Sequence, residues 1–238
     1  WITEAMNTTG PGVGWPRVLT TGSTVHILAC TQDAYQGLNQ AILYYRSTDA
    51  GTTWEPPVVL PGLDASSLGV GESKSFWGFR PDSYSWAAPK GDTLAFAVAE
   101  CMGGVWIMKS WDNGMNWSKT TVLAVPVFDT APTPVFASTD RSISLTLDSQ
   151  GKSHIVFGRM YVSKENIFSY DNQYNHYSDG LIYWNETMPP LDTTQLGNPD
   201  ILESQGNLIA SMIDYDGNGE IDFPHILDDL IPFGLYAV

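Results

Sequence analysis

The sequence predicts an all-β protein, and three observations carry that prediction. Short apolar or alternating runs are separated by Gly-centred turns, Ser, Thr and aromatic residues outweigh charged ones, and one strand–turn–strand pattern returns along the chain. Of 238 residues 43% are hydrophobic, with 9 Trp, 11 Tyr and 9 Phe, ample for a buried core. The 22 Gly and 15 Pro punctuate the runs so often that no segment reads as a convincing helix.

The elements follow in order. "VLTTGSTVHILAC" (18–30) is an apolar run, a turn at Gly22 and an alternating run. "SYSWAAPKGDTLAFAVAEC" (83–101) repeats this around Gly91, "SISLTLDSQGKSHIVFG" (142–158) around Gly151 and "LIASMIDYDGNGEIDF" (208–223) around Gly219. The turn glycines are 69, 60 and 68 residues apart, and each pair carries hairpin turn chemistry. A third strand follows each hairpin, in "AILYYRS", "GVWIMKS", "GLIYWNE" and the beginning of one in "FGLYAV". A fourth comes next in "PPVVLP" and "TTVLAV". Four antiparallel strands repeated at this period is the blade pattern of a β-propeller. The repeats run over roughly 12–62, 76–127, 140–197 and 205–238, about three and a half blades in a single domain. Because a propeller ring needs ~4–8 blades, the chain reads as part of a longer ring, six- or seven-bladed, or as one closed by unusual means.

"STDAGTTW" (47–54) and "SWDNGMNW" (110–117) sit at equivalent places, between third and fourth strands. Ser47, Asp49, Gly51 and Trp54, then Ser110, Asp112, Gly114 and Trp117, resemble the Asp-box (bacterial neuraminidase) repeats of sialidase-like propellers. The third unit, "WNETMPPLDTTQL", keeps no such box. Turn chemistry explains every residue. The Asp carboxylate accepts N–H bonds within its own turn, the Gly supplies a positive φ, and the Trp folds back over the hairpin. Asp49 and Asp112 are therefore expected to be structural and not catalytic. In the resembling propellers the substrate pocket lies on the opposite face.

"DYDGNGEID" (214–222) offers oxygens from Asp214, Asp216, Asn218 and Asp222 and the Glu220 carbonyl, a donor set suited to Ca²⁺. His225 stands where an EF-hand has its bidentate Glu, and the flanks are strand-like. The stretch is similar instead to the calcium loops of integrin-type propellers, which implies a structural ion on the Asp-box face. The alternative is an ion-free Asp/Gly hairpin turn, since "LDSQGKSH" occupies the equivalent place in unit three.

Two long connections belong to the opposite face, 55–82 and 159–180. The second gathers Tyr161, Phe168, Tyr170, Tyr174, His176 and Tyr177 among polar residues; the first carries Trp77 and Arg80. Aromatic platforms beside polar groups suit a glycan or a protein surface, the alternative being rings that pack on their own blade edge. "GFRPD" (78–82) is one residue short of the sialidase Phe-Arg-Ile-Pro motif and follows the first box, so Arg80 also reads as a turn residue. With five arginines in the chain, no three converging on a carboxylate are identifiable. Cys30 and Cys101 end equivalent strands of adjacent units, compatible with a disulfide between blades or with two thiols. His26 and His154 share a strand position, which points to packing.

A formal charge of −15 and a pI near 4.3 argue against nucleic acid or an anionic membrane as partner. No apolar run approaches the ~18 residues of a membrane span. The chain opens on Trp1 with no initiator Met or signal peptide, as a mature or trimmed polypeptide would. These features together lead to the expectation of a secreted or cell-surface, non-catalytic propeller that binds a glycan, a surface protein or other subunits of a larger assembly. The alternative is a sialidase-like glycoside hydrolase using Asp82, Glu100 or Asp179 opposite the boxes.

Overall fold

The computed structural model describes residues 12–32, 35–38, 40–64, 79, 83–100, 103–125, 135–163, 174–175 and 180–211. Three antiparallel sheets stand side by side. The first holds β1 (Val13–Thr21), β2 (Thr24–Thr31), β3 (Ile42–Ser47) and β4 (Val58–Val59), neighbours in that order. The second holds β5 (Tyr84–Trp86), β6 (Leu94–Glu100), β7 (Gly104–Ser110) and β8 (Ser118–Ala124) in the same order. In the third, β9 (Val135–Leu147) pairs with β10 (Ser153–Ser163), and the far end of β10 also pairs with β11 (Tyr174–Asn175). The near end pairs with β12 (Leu181–Asn185). A short β13 (Leu191–Asp192) then runs parallel to β8, so unit three clips the outer edge of the second sheet. The helices α1 (Thr193–Leu196) and α2 (Pro199–Ser204) follow, and β14 (Leu208–Ala210) closes the third sheet against β12.

The predicted repeat of four-stranded antiparallel units is present three times; among the described residues the sheets do not close into a ring. Two expectations need correction. Leu208–Ala210, assigned from sequence to the first strand of a fourth unit, is the outer strand of the third sheet. Its short apolar run looked like the start of a hairpin, but the edge of β12 was the open partner. Helix is also present, where unit three lacks its box. Asp192 accepts from the Gln195 N–H while the Gln195 side chain accepts from the Asp192 N–H, and Asn198 with Pro199 starts the second helix.

Side-chain alternation decides the stacking. Leu28, Ile42 and Tyr44 of the first sheet pack against Phe96, Val98, Trp106 and Met108 of the second. The opposite parity, Ala95, Ala97 and Ile107, packs against Leu145, Ile155 and Phe157 of the third. All seven residues of β6 and all seven of β7 are consequently buried. The strand directions put β2, β6 and β10 parallel to one another across the stack. Their C-terminal ends, with the connections leaving β4 and entering β5, share one end of the structure, hereafter the Glu100 end. The Ser-x-Asp-x-Gly-x-x-Trp turns lie at the other.

The second of these turns docks on the first sheet. Asn113 Nδ2 donates to Thr24 Oγ1 at 3.0 Å, its Oδ1 lies 3.1 Å from His26 Nε2, and its carbonyl accepts from Arg46 Nε at 3.0 Å. Since Asn113 Oδ1 is an acceptor, His26 carries its proton on Nε2, and Nδ1 accepts from the Tyr44 hydroxyl at 2.7 Å. Gly114 is the contact point: it has φ +83°, and a Cβ there would overlap the Tyr44 hydroxyl. Gly22, at φ +58°, faces open space. Gly114→Ala should therefore cost about 3 kcal/mol, combining left-handed strain with overpacking, against about 1 kcal/mol for Gly22→Ala. Urea unfolding of the two variants checks this; equal losses would contradict the docking geometry.

Candidate functional site

The first candidates are the two boxed carboxylates. Ser47 Oγ donates to Asp49 Oδ1 at 2.8 Å and accepts from Gly51 N–H at 2.9 Å. Thr53 adds its N–H to Oδ1 at 2.8 Å and its hydroxyl to Oδ2 at 2.6 Å. Ser110, Asp112, Gly114 and Asn116 reproduce this arrangement, with the Asn116 amide in place of the Thr53 hydroxyl. The Thr53 hydroxyl and N–H lower Asp49 to about 2, and the Asn116 N–H and amide do the same for Asp112. Groups so stabilised as anions are poor proton donors or acceptors near neutrality. They staple turns. Trp54 lies over Gly51, and Trp117 packs edge-on to Tyr44 and Phe96 with its indole N–H on the Gly114 carbonyl.

The Glu100 end carries a different constellation. Glu100 is the last residue of β6 and is only 4% exposed. Ser83 Oγ donates to its Oε1 at 2.7 Å, and Arg141 Nε of the neighbouring sheet lies 3.7 Å from Oε2. Arg141 arrives there through a bulge. Thr139 pairs with Arg159 and Ile143 with Phe157, so three residues of β9, Asp140 to Ser142, stand opposite Gly158 alone. Arg141 takes φ +77°, and its N–H donates to Thr139 Oγ1 at 3.1 Å. Asp140 folds back to accept from Ser142 N–H at 2.8 Å, and its carboxylate covers Gly158, where any Cβ would overlap it. Its Oδ2 is buried without a hydrogen-bond partner. Burial raises the Asp140 carboxyl to about 6, against the opposing pull of Ser142 and Arg141. Arg159, buried beside this bulge, donates from Nη1 to the Leu196 carbonyl at 3.0 Å. Arg141 and Glu100 thus meet across the junction of the second and third sheets, with the Asp140 carboxylate on the same bulge.

A separate cleft of about 240 Å³ opens between the first two sheets at the turn end, lined by Tyr44, Arg46, Glu55, Val58, Met115 and Trp117. Arg46 Nη1 donates to Glu55 Oε1 there at 2.6 Å.

Of the sequence-predicted site residues, the strands place Tyr161 and Tyr174 at the Glu100 end, where Tyr161 pairs with Asn175 and Val162 with Tyr174. Trp77, Arg80, Tyr170, His176 and Tyr177 lie outside the described residues, as do Asp82 and Asp179 and the calcium candidates Asp214, Asp216, Asn218, Glu220 and Asp222. Cys101 also lies outside; the Cys30 sulfur is buried, 2.9 Å from the Phe79 carbonyl. Sequence reading singled out Glu100 but missed Ser83, Asp140 and Arg141. The Thr-Asp-Arg-Ser stretch at 139–142 inside an apolar-alternating run was the available signal, since charged residues interrupting a strand mark a bulge.

No protein-family model and no curated protein matches the sequence. Among solved structures the chain is similar to an ulvan lyase of polysaccharide lyase family PL25, with TM-score 0.40, 14% identity, and 72% of this chain and 41% of that one covered. It is similar to NanB sialidase from Streptococcus pneumoniae, with TM-score 0.35, 14% identity and coverage of 70% and 20%. A glycosyl hydrolase from Bacteroides ovatus gives TM-score 0.34, 12% identity and coverage of 71% and 55%. The chain spans about two fifths, one fifth and just over half of these three proteins.

Two outcomes test these assignments. Arg141→Met removes a charged partner of the buried Glu100 and should cost about 3 kcal/mol, whereas adding Glu100→Gln recovers part of it, because Ser83 still has its acceptor. A double-mutant cycle in urea reads the coupling, and additive losses would remove the ion pair from the account. Two groups contribute to the pH dependence with opposite sign over nearly the same range, so they largely offset each other in the parent protein. Burial lowers His26 to about 4, so the unfolded chain takes a proton below 6.5 that the fold refuses; about 3 kcal/mol is lost as pH falls from 6.5 toward 4. Asp140 holds its proton up to about 6 while the unfolded chain releases it at 3.8, so a similar amount is lost as pH rises from 3.8 through 6. In thermal unfolding against pH, His26→Gln should unmask a loss of stability as pH rises from 3.8 through 6, and Asp140→Asn a loss as pH falls from 6.5 toward 4. Variants that keep the parent profile would contradict both assignments.

Proposed function

We propose that this chain forms part of a secreted or cell-surface, non-catalytic Asp-box β-propeller that binds a glycan at the Glu100 end. One observation carries the reading: the described strands that flank the two long aromatic-bearing stretches, β4 and β5 for the first and β10 and β12 for the second, have the flanking termini at a single end of the sheets. Long loops on a rigid scaffold are the usual seat of binding, and Tyr or Trp faces beside hydroxyl and amide groups suit the apolar and polar sides of a sugar ring. The non-catalytic part is supported by Glu100, the described carboxylate of the hydrolase alternative. It is buried and engaged by Ser83 and Arg141, a position better suited to joining sheets than to transferring protons. Calcium belongs to the same reading as a structural ion held by Asp214, Asp216, Asn218, Asp222 and the Glu220 carbonyl.

The test is a glycan array followed by titration calorimetry on the 238-residue protein. At least one oligosaccharide should bind, Tyr170→Ala and Tyr177→Ala should each weaken it about tenfold by removing a stacking face, and a sialoside substrate should stay intact. Binding should persist after exhaustive chelation, because the calcium loop is assigned to the other end. Sialoside turnover, or an empty array, would overturn the proposal.

A further inference from the structure

The cleft of about 240 Å³ at the turn end has an apolar wall and a charged lip. The two aromatic residues of the wall use their polar atoms elsewhere. The Tyr44 hydroxyl donates to His26 Nδ1 at 2.7 Å and the Trp117 indole N–H to the Gly114 carbonyl at 3.1 Å, so both rings offer the cleft only carbon. Val58 and Met115, exposed by 47% and 65%, extend that wall outward. The lip is the Arg46–Glu55 pair. Arg46 Nε donates to the Asn113 carbonyl and Nη1 to Glu55 Oε1 at 2.6 Å. Among the described residues Arg46 Nη2 and Glu55 Oε2 have no hydrogen-bond partner, which leaves donors and an acceptor side by side on the cleft.

Joining the sheets does not account for this lip. By register, Lys109 and Ser118 of the second sheet hold the places of Arg46 and Glu55, and Ile107 holds that of Tyr44. There the cation reaches out of its sheet to Glu186 of the third, at 2.7 Å. Arg46 needs only Nε to dock on Asn113, and Glu55, half exposed, adds an ion pair within its own sheet that contributes little to stability. We infer that the cleft is a second binding site, opposite the Glu100 end, for a single neutral pyranose ring. Charge selects that class. Guanidinium and carboxylate cancel, so an ionic ligand gains little net attraction for the water it gives up. A vicinal diol matches both, one hydroxyl accepting from Arg46 Nη2 while its neighbour donates to Glu55 Oε2. The C–H face of the ring then lies on Trp117, Val58 and Met115. The volume is below the ~300–1,000 Å³ usual for larger ligands, which fits one ring and not a chain of them.

The test follows the Met115 methyl by NMR in the 238-residue protein, isotope-labelled at its methionine methyls and assigned with Met115→Leu. The probes are the methyl α-pyranosides of glucose, mannose and galactose. At least one should shift the Met115 signal with Kd on the order of 1 mM, as befits a single ring. Glu55→Ala, a change at a half-exposed side chain, should weaken that binding about tenfold and, by leaving Arg46 unpaired, raise the affinity for glucuronate. Four results would each overturn the inference. None of the pyranosides moves Met115; cyclohexanol moves it equally, marking a merely apolar groove; glucuronate or glucosamine binds the parent protein more tightly than any neutral ring; or Glu55→Ala changes nothing. The glycan reading at the Glu100 end is tested separately, since Tyr170→Ala and Tyr177→Ala should leave the Met115 titration unchanged, and its loss in those variants would place the sugar at the other end.

Discussion

A four-stranded sheet that is apolar on both faces has no stable existence alone, and that constraint organises this protein. In the second sheet β6 and β7 are buried along their whole length, with Phe96, Val98, Trp106 and Met108 toward one neighbour and the alanines of β6 with Val105 and Ile107 of β7 toward the other. Each buried Phe, Leu or Ile contributes roughly 1.5–3 kcal/mol only when a partner sheet covers it. The fold is therefore cooperative between sheets before it is stable within any one of them.

The polar groups serve that stacking. Where side chains pack without polar atoms, as between Ala97 and Phe157, apolar contact suffices. At the ends of the sheets, backbone turns and charged residues must be accommodated, and each solution crosses a junction. Asn113 hydrogen-bonds into the first sheet, Lys109 reaches Glu186 at 2.7 Å, and Arg141 reaches Glu100. The Asp side chains of the repeated turns do the opposite, satisfying donors inside their own loop so that the loop arrives preformed. The bulge of β9 shows the cost of steering a side chain across a junction: a non-glycine residue at positive φ and a carboxylate oxygen buried without a partner.

These arrangements also separate the two ends. One end is taken up by stapled turns whose carboxylates are committed to backbone N–H groups. The other receives the longer connections and has its buried Glu100 tied to the neighbouring sheet.

The strands, their antiparallel order within each unit and the role of the two boxed turns were legible in the sequence, because alternation, turn glycines and Asx chemistry are local. His26 is packed, as its repeated strand position implied, while His154 stays half-buried. The sequence did not disclose that Leu208–Ala210 would complete the third sheet, since an edge strand is chosen by whichever neighbour lacks a partner. Nor did it disclose the Arg141–Glu100 pair, whose members are 41 residues apart and meet only because a bulge turns one strand's side chain toward the next sheet. What the sequence by itself determined is the repeating unit, set by short-range periodicity and turn geometry. Which faces meet, and which charges become buried when they do, was decided only by the tertiary structure, because burial and ion pairing depend on neighbours far away along the chain.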